Sequence, residues 1–281
     1  MDIAITGATG FIGRAVTTRL QRDGQTVRSV SMRTTPQPEL FKHCDAVIHV
    51  AGEPVAQRWT TAARERIRAS RVDGTRSLVA ALGGLAKPPR VLISASAVGY
   101  YGSRGDEILT ESSAPADDFL GKLAVEWERE AKQAEKLGIR VVILRIGVVL
   151  GRDGGALERM LVPFRLGVGG KIGAGNQWMS WIHLDDLAEL VSFALTTPEL
   201  RGAVNATAPN PVTNIDFTHE LAHAVHRPAI FPVPRLALNL LYGEMASVIY
   251  ASQRVVPEAA CRAGFQFRYS SIRTALNEIL G

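Results

Sequence analysis

Hydrophobic residues occur along the first half of the chain in two alternating patterns. Short apolar runs, such as residues 3–6, 45–51 and 90–94, have the length of buried strands. Between them, longer segments such as 11–23 place apolar residues three or four positions apart, the period of a helix packed on a sheet. Because short strands alternate with helices, the pattern predicts an α/β fold with a doubly wound parallel sheet.

The connection that follows the second predicted strand, at about residues 26–31, is unusually short. Only twelve residues separate Arg33 from Ala46, and Pro36 and Pro38 are among them. A crossover fits into that length, but an additional helix and strand do not. We therefore predict that one strand of the usual order is missing and that the second strand lies at an edge of the sheet.

The last quarter of the chain has a different pattern. Residues 214–226 are typical of an amphipathic helix, several prolines follow, and a further helix is predicted near 272–280. This part predicts a smaller, mostly helical cap. We expect a larger α/β unit over residues 1–149 and 178–208, and a cap over 150–177 and 209–281.

The net charge of +5 adds little to this picture, because most basic residues are interspersed with acidic ones. One dense stretch, residues 58–76, carries many arginines on a predicted helix. It is either a solvated helix face or a cationic wall beside an anionic ligand. We expect no nucleic-acid partner.

The two cysteines, Cys44 and Cys261, are far apart and outside any metal-ligand spacing, so neither a disulfide framework nor a cysteine metal site is expected. No apolar run approaches the roughly 20 residues that span a bilayer. The sequence predicts a cytoplasmic protein without a membrane partner.

The segment Thr-Gly-Ala-Thr-Gly-Phe-Ile-Gly at residues 6–13 is the strongest chemical indication. It leaves a strand and opens a helix, as in proteins that bind dinucleotides. The first glycine permits the turn, the second lets the backbone approach a pyrophosphate, and the third lets the helix pack on the sheet. The helix N-terminus offers free N–H groups to the phosphates. The predicted contacts are Gly7, Thr9, Gly10, Phe11, Ile12 and Gly13.

The end of the second strand indicates which dinucleotide binds. Ser31-Met32-Arg33 lacks the acid that usually accepts hydrogen bonds from the ribose 2′-hydroxyl of NAD. An arginine there can pair with a 2′-phosphate, with Ser31 as a second donor. We predict NADP(H) as the cofactor; the alternative is that Arg33 is an ordinary surface residue.

Several motifs stand in a fixed order along the chain. They are the glycine turn, His49-Val50-Ala51-Gly52, Ser94-Ala95-Ser96 with Tyr101-Gly102, and the segments 145–151, 181–186 and 201–205. In this order they resemble the extended short-chain dehydrogenase/reductases. Segments 51–54, 58–59, 99–102, 127–128, 163–167 and 181–183 resemble, more narrowly, the YfcH-like epimerase family.

The resemblance implies a Rossmann dinucleotide-binding domain and further cofactor contacts. Val50, Ala51 and Gly52 would line the adenosine and ribose side of the cleft. Arg71 would reach into the cleft from the arginine-rich helix, and Val149 would contact the nicotinamide end. The family is generally NADP-binding, which agrees with Arg33.

The catalytic residues that the resemblance implies are incomplete. Short-chain dehydrogenases use a serine after the central strand and a Tyr-x-x-x-Lys pair, whose lysine lowers the pKa of the tyrosine. Ser96 and Lys122 match, but Asp118 stands where the tyrosine belongs. Tyr100 or Tyr101 is expected to supply the proton instead. The alternative is that both tyrosines only pack and that Lys122 is solvated.

No metal site is predicted. Near His183, we expect Asp185 to cap a helix rather than to bind a metal. His219, His223 and His226 have the spacing of one helix face, but no acid or cysteine stands at a position that would complete a metal site. The sequence predicts an NADP(H)-dependent oxidoreductase or epimerase-like enzyme acting on a small, unidentified hydroxyl or carbonyl compound, with a nucleotide-sugar-like substrate as one option. The alternative is an NADP(H)-binding redox sensor or scaffold. The oligomeric state is open, a homodimer included.

Overall fold

The computed structural model describes residues 1–281, and its first half alternates strands with helices. In chain order the elements are β1 (Asp2–Thr6), α1 (Phe11–Arg22), β2 (Thr26–Val30), β3 (Ala46–His49), α2 (Thr61–Gly83), β4 (Val91–Ala97), β5 (Ile108–Leu109), α3 (Phe119–Lys132), β6 (Arg140–Ile146) and β7 (Val148–Leu150). Short 3₁₀ turns occupy Pro38–Phe41, Val98–Tyr101 and Gln133–Leu137.

The second half contains more helix and shorter strands. Its elements are α4 (Gly155–Arg165), β8 (Trp178–Met179), β9 (Trp181–His183), α5 (Leu184–Thr196), β10 (Gly202–Ala206), β11 (Val212–Thr213), α6 (Asn214–Ala224), α7 (Arg235–Tyr242), a 3₁₀ turn at Gly243–Met245, α8 (Ala246–Ile249), β12 (Arg254–Val255), α9 (Glu258–Arg262) and α10 (Ile272–Leu280). None of these helices combines the length and the apolar character that crossing a lipid bilayer requires.

Six strands form one parallel sheet in the order β10-β6-β4-β3-β1-β2. Side chains of β1 alternate between its two faces, as the strand period requires. Ile3 and Ile5 pack on the face covered by α1 and α5, whereas Ala4 packs on the face covered by α2. The prediction of a doubly wound Rossmann fold is confirmed.

The predicted absence of an edge strand is also confirmed. Residues 34–44 contain a 3₁₀ turn and no strand, so β2 lies at the edge beside β1. Phe41, at the end of that turn, is fully buried against Val47 of β3 and Leu78 of α2. This one aromatic side chain thereby covers part of the core between β3 and α2.

The C-terminal segment is mostly helical and closes on the sheet through a separate apolar cluster. Trp181, Phe217 and Leu276 are buried in this cluster, which joins β9, α6 and α10. The Asp186 carboxylate in α5 strengthens the joint by accepting hydrogen bonds from the backbone N–H groups of Arg268 and Tyr269, both at 2.9 Å.

The prediction that Asp185 caps α5 is wrong. The residue at the N-cap is His183, whose Nδ1 accepts the N–H of Asp185 at 3.0 Å. Its Nε2 lies 2.9 Å from Glu278 of α10. The histidine takes the cap because β9 runs directly into the helix, which leaves Asp185 inside the first turn.

One histidine is enclosed in the sheet. His49, at the end of β3, has no exposed surface, and its ring nitrogens contact Thr6 Oγ1 at 2.6 Å and Thr75 Oγ1 at 3.0 Å. Burial, assisted by the nearby charge of Arg71, lowers the pKa of His49 to about 4. The folded protein therefore holds this imidazole neutral.

Stability should fall between pH 7 and pH 5. The unfolded chain binds a proton at His49 below about pH 6.5, whereas the folded protein binds it only near pH 4. Stability from this residue is therefore complete above about pH 7, and about 2 kcal/mol should be lost by pH 5. Urea unfolding of wild type and His49→Gln at both pH values measures the difference.

The exposed His219 on α6 provides the control, since His219→Gln should retain the wild-type pH dependence. An NMR titration of the wild-type imidazole gives the same information if His49→Gln does not fold. A midpoint above pH 6 for His49 would contradict the prediction.

Candidate functional site

The glycine turn packs directly against the end of β3. Gly7 adopts a φ of +78°, and a Cβ atom there would lie 2.7 Å from the backbone N of Ala51. At Gly13 a Cβ atom would lie 2.1 Å from the carbonyl oxygen of Gly7. Neither position accommodates a side chain, so both glycines are needed to bring α1 onto the sheet.

The outer side of the turn is open. A Cβ atom at Gly10 would meet only the carbonyl oxygen of Gly7, at 3.3 Å. Gly10 is the N-cap of α1 and offers no capping side chain, and the first turn contains no acid. The first N–H groups of α1, those of Phe11 and Ile12 among them, therefore lack intrahelical partners and suit an anion.

Phe11 and Val149 form the floor beside this turn. The Phe11 ring lies 2.7–2.9 Å from the positions that Cβ atoms would take at Gly151, Gly154 and Gly155. Val149 is buried in the same cluster. Thr9 is exposed, and its carbonyl accepts a hydrogen bond from Arg14 Nη1 at 2.8 Å.

Ser31 and Arg33 lie at the same edge of the sheet. The pairing of Thr6 with Val30 places the end of β2 beside the start of the glycine turn. Both side chains are exposed, and the Arg33 guanidinium has no hydrogen-bond or ion-pair partner; only its backbone N–H contacts Ser31 Oγ, at 3.2 Å. A free cation thus lies just past the end of β2, at the edge of the sheet where the glycine turn begins.

Arg71 of α2 approaches the backbone that follows β3. Its guanidinium carbon would lie 3.4 Å from a Cβ atom at Gly52, and Nη1 donates to the carbonyl of Glu53 at 2.8 Å. Burial lowers the pKa of Arg71 to about 10, although Glu53 opposes the shift. Val50 and Ala51 complete this wall. Together with the turn and Arg33, these residues fit an extended dinucleotide.

A buried ion pair occupies the end of the central strands. Arg145 of β6 donates from Nε and Nη2 to the two carboxylate oxygens of Glu128 in α3, at 2.8 and 2.9 Å, and both side chains are 4% exposed. Burial opposes its charge, but Glu128 raises the pKa of Arg145 above its ordinary value. Ser96 of β4 donates to the same carboxylate at 2.8 Å.

The two tyrosines complete this network. Tyr101 is fully buried; its hydroxyl donates to Asn205 Oδ1 at 2.6 Å and accepts from Arg145 at 2.9 Å. Burial raises the pKa of Tyr101 to about 12 despite the charge of Arg145. The Arg145 guanidinium lies 3.4 Å from the centre of the Tyr100 ring.

A cavity of about 1280 Å³ opens beside this network, between the sheet and the C-terminal segment. One wall comprises Val55, Trp59, Arg64, Arg71, Ala97–Gly99, Asp118, Phe119, Leu120, Leu123, Ala124 and Trp127, and Asp106 also lines the cavity. The opposite wall comprises Asn176, Gln177, Arg235, Asn239, Gly243, Glu244, Ser247, Val248 and residues 250–253. A cavity of this size accommodates a small substrate beside a nicotinamide ring.

The predicted catalytic residues are only partly brought together. Ser96, Tyr100 and Tyr101 all contact the Arg145–Glu128 pair, whereas Lys122 is exposed on α3 and joins neither the network nor the cavity wall. None of the four lines the cavity. A direct proton transfer by Ser96 would require its bond to Glu128 to exchange, and that role stays a prediction.

Asp118, which stands at the position of the missing tyrosine, caps α3. Its Oδ1 accepts the N–H of Gly121 at 2.8 Å, so this oxygen stabilises the start of the helix.

The sequence analysis did not identify the roles of Glu128, Arg145 and Asn205. The one available indication was an arginine at the end of an otherwise apolar strand, since a buried charge requires a partner.

Comparison with known proteins identifies this arrangement. Residues 3–206 match the model of the NAD dependent epimerase/dehydratase family. The chain belongs to this family. Residues 233–279 match a domain of unknown function, DUF1731, which covers α7 to α10.

Relatives of the family cover the whole chain. An epimerase family protein, the chloroplastic SDR39U1 homologue of Arabidopsis thaliana, is 38% identical over 100% of this chain and 87% of its own. The Bacillus subtilis protein YfhF is 38% identical over 100% and 98%. The crystal structure of the human epimerase family protein SDR39U1 with NADPH superposes with a TM-score of 0.93 at 33% identity, covering 100% and 99%. The predicted membership in an epimerase family is confirmed.

Removing the charge of Glu128 should destabilise the protein strongly. Glu128→Gln leaves the buried Arg145 without a counter-charge, which should lower the free energy of unfolding by about 3–5 kcal/mol. Glu126→Gln on the same helix is the control: Glu126 pairs with Arg68 at the surface, where an ion pair contributes about 0–1 kcal/mol. Urea unfolding measures both. Equal losses for the two variants would contradict a dominant role of the buried pair.

Proposed function

We propose that this protein is an NADP(H)-dependent oxidoreductase or epimerase-like enzyme that acts on a small hydroxyl or carbonyl compound. The observation that carries the proposal is the juxtaposition of the open glycine turn and the free Arg33 with a large cavity at the same edge of the sheet. In parallel sheets, ligands bind where the strands end. Segments 150–177 and 209–281 would act as the cap over the substrate.

The preference for NADP(H) rests on charge. Arg33 is unpaired and exposed, Ser31 lies beside it, and none of the three residues directly after β2 is acidic. A guanidinium binds a phosphate dianion through charge-assisted hydrogen bonds, whereas the ribose hydroxyl of NAD offers it no charge. The NADPH in the human relative supports the same choice.

When bound, the dinucleotide donates or accepts a hydride. The chain's own residues would hold the pyrophosphate at the start of α1, bind the 2′-phosphate at Arg33 and enclose the substrate between the sheet and the cap. The Ser96 region would give a proton to the substrate oxygen when a carbonyl is reduced and would take one from the hydroxyl when it is oxidised. Ser96 donates to Glu128 in the structure, so its hydroxyl would turn toward the substrate only by giving up that bond.

A second function, a redox sensor or scaffold that binds NADP(H) without turnover, is favoured by a separate observation. The Ser96 and Tyr101 hydroxyls are both committed to the buried network, and Asp118 caps a helix where the family tyrosine belongs. A sensor needs the dinucleotide site and a conformational response but no proton donor in the cavity.

Replacing Arg33 should separate the two dinucleotides. Arg33→Ala removes a charge-assisted bond to the 2′-phosphate, worth roughly 1.5–3 kcal/mol, so NADPH affinity should fall about tenfold to a hundredfold while NADH affinity hardly changes. Calorimetric titration with both dinucleotides measures this. Arg22→Ala, exposed at the opposite end of α1, is the control. Equal affinity of the wild type for NADPH and NADH would contradict the proposed role of Arg33.

Ser96→Ala should separate enzyme from sensor. Once a screen of carbonyl compounds for NADPH oxidation yields a substrate, loss of Ser96 should lower turnover about a hundredfold or more, with NADPH affinity unchanged. Ser94→Ala, two residues earlier on β4 and equally buried, should retain turnover. If the screen finds no substrate and Ser96→Ala leaves ligand binding untouched, the sensor or scaffold replaces the enzyme.

A further inference from the structure

One arginine in the cavity wall is held in place by aromatic rings rather than by acids of its own domain. The Arg64 guanidinium, near the start of α2, lies 5.8 Å from the ring centre of Trp59 and 5.0 Å from that of Phe119. The two rings contact each other edge to face, with centres 5.1 Å apart. Cation–π attraction fixes the position of the guanidinium without neutralising its charge.

The donors of this guanidinium are incompletely used. Nη2 contacts the carboxylate of Glu244, in the 3₁₀ turn after α7, whereas Nε is buried and has no hydrogen-bond partner. A guanidinium presents donors in pairs that match the two oxygens of a carboxylate or phosphate. Glu244 therefore leaves the Nε donor of that pair without an acceptor.

The contact with Glu244 is weak enough to exchange. The Arg64 side chain is 36% exposed and that of Glu244 is 66% exposed. Exposed ion pairs contribute only about 0–1 kcal/mol. A ligand anion that reached the same guanidinium from the cavity could replace the glutamate at little cost.

The other charged side chains of the cavity also favour an anion. Asp118 already accepts the N–H of Gly121, and Asp106 accepts Nε1 of Trp178 at 2.8 Å. Arg235, by contrast, stacks on Tyr250 and has no ion-pair partner. Each of these two acids thus accepts an N–H donor, while the donors of Arg235 have no acceptor.

We propose that Arg64 is the receptor for an anionic group of the substrate, a carboxylate or phosphate, and that Glu244 occupies this receptor until the substrate displaces it. The substrate class is then a small hydroxyl or carbonyl compound that carries such a group. This assignment rests on the proposed function only in naming the ligand as the substrate; anion binding at Arg64 is a property of the cavity itself.

Two substitutions with opposite expected effects test the proposal. Arg64→Gln removes the receptor charge and should weaken binding of malonate and inorganic phosphate about tenfold or more. Glu244→Gln removes the competing carboxylate and should strengthen binding about twofold to fivefold. Arg68→Gln is the matched control, since Arg68 lies one turn further along α2, is 37% exposed and pairs with Glu126.

Affinities are measured at low ionic strength by tryptophan fluorescence in every variant, and also by the NMR shift of the Arg64 Nε–H in the proteins that retain Arg64; acetamide is the neutral probe. If the Arg64–Glu244 pair only holds the C-terminal segment against α2, both substitutions change the affinity for the anions in the same direction or leave it unchanged. That result overturns the proposal. Failure of both wild type and Glu244→Gln to bind either anion overturns it as well.

Each titration is run with NADPH-saturated and with cofactor-free protein. Persistence of the opposite effects under NADPH saturation assigns the anion to the substrate. Loss of the effects on adding NADPH means that a cofactor phosphate fills the receptor, and the substrate assignment is then overturned. If the wild type binds no NADPH, the proposed function fails. The effects of Arg64→Gln and Glu244→Gln on anion affinity in the cofactor-free protein still show whether Arg64 is an anion receptor.

Discussion

The buried ion pair between Arg145 and Glu128 sets the geometry of the site. A charge this deeply buried is tolerated only when nearly every donor and acceptor around it is satisfied. The guanidinium therefore binds both oxygens of Glu128 and the hydroxyl of Tyr101, and Glu128 accepts Ser96. Three segments distant in sequence, β4, α3 and β6, are fixed to one another by the requirements of a single charge.

This constraint explains the composition of the cavity wall. Because the polar side chains near the end of β4 turn into the network, the cavity is faced by Ala97, Val98 and Gly99 instead. The part of the wall formed by the end of β4 therefore carries no charged side chain. The basic side chains of the wall lie on α2 and α7, at Arg64, Arg71 and Arg235.

Local sequence determined which features were predictable. The strand, glycine turn and helix start are specified by a pattern within about a dozen residues, and the missing strand follows from the length of one connection, so both structural predictions were correct. The Arg145–Glu128 pair joins residues on separate elements, and no local pattern specifies which acid meets which base. The cap of α5 was assigned to Asp185 by propensity, but tertiary structure placed His183 there.

Two contacts of the C-terminal segment, one at Asp186 and one at Arg64, differ in strength because they differ in burial. Asp186 is 2% exposed and accepts two backbone N–H groups of the C-terminal segment, so separating them breaks two hydrogen bonds to a buried carboxylate. Arg64 and Glu244 are both exposed in their contact, so water can hydrogen-bond to their charged groups when the two side chains separate. Of these two contacts of the C-terminal segment, the one at Asp186 is therefore the stronger and the one at the 3₁₀ turn after α7 is the weaker. An anion that met Arg64 from the cavity would compete only with the weaker contact and would leave the stronger one in place.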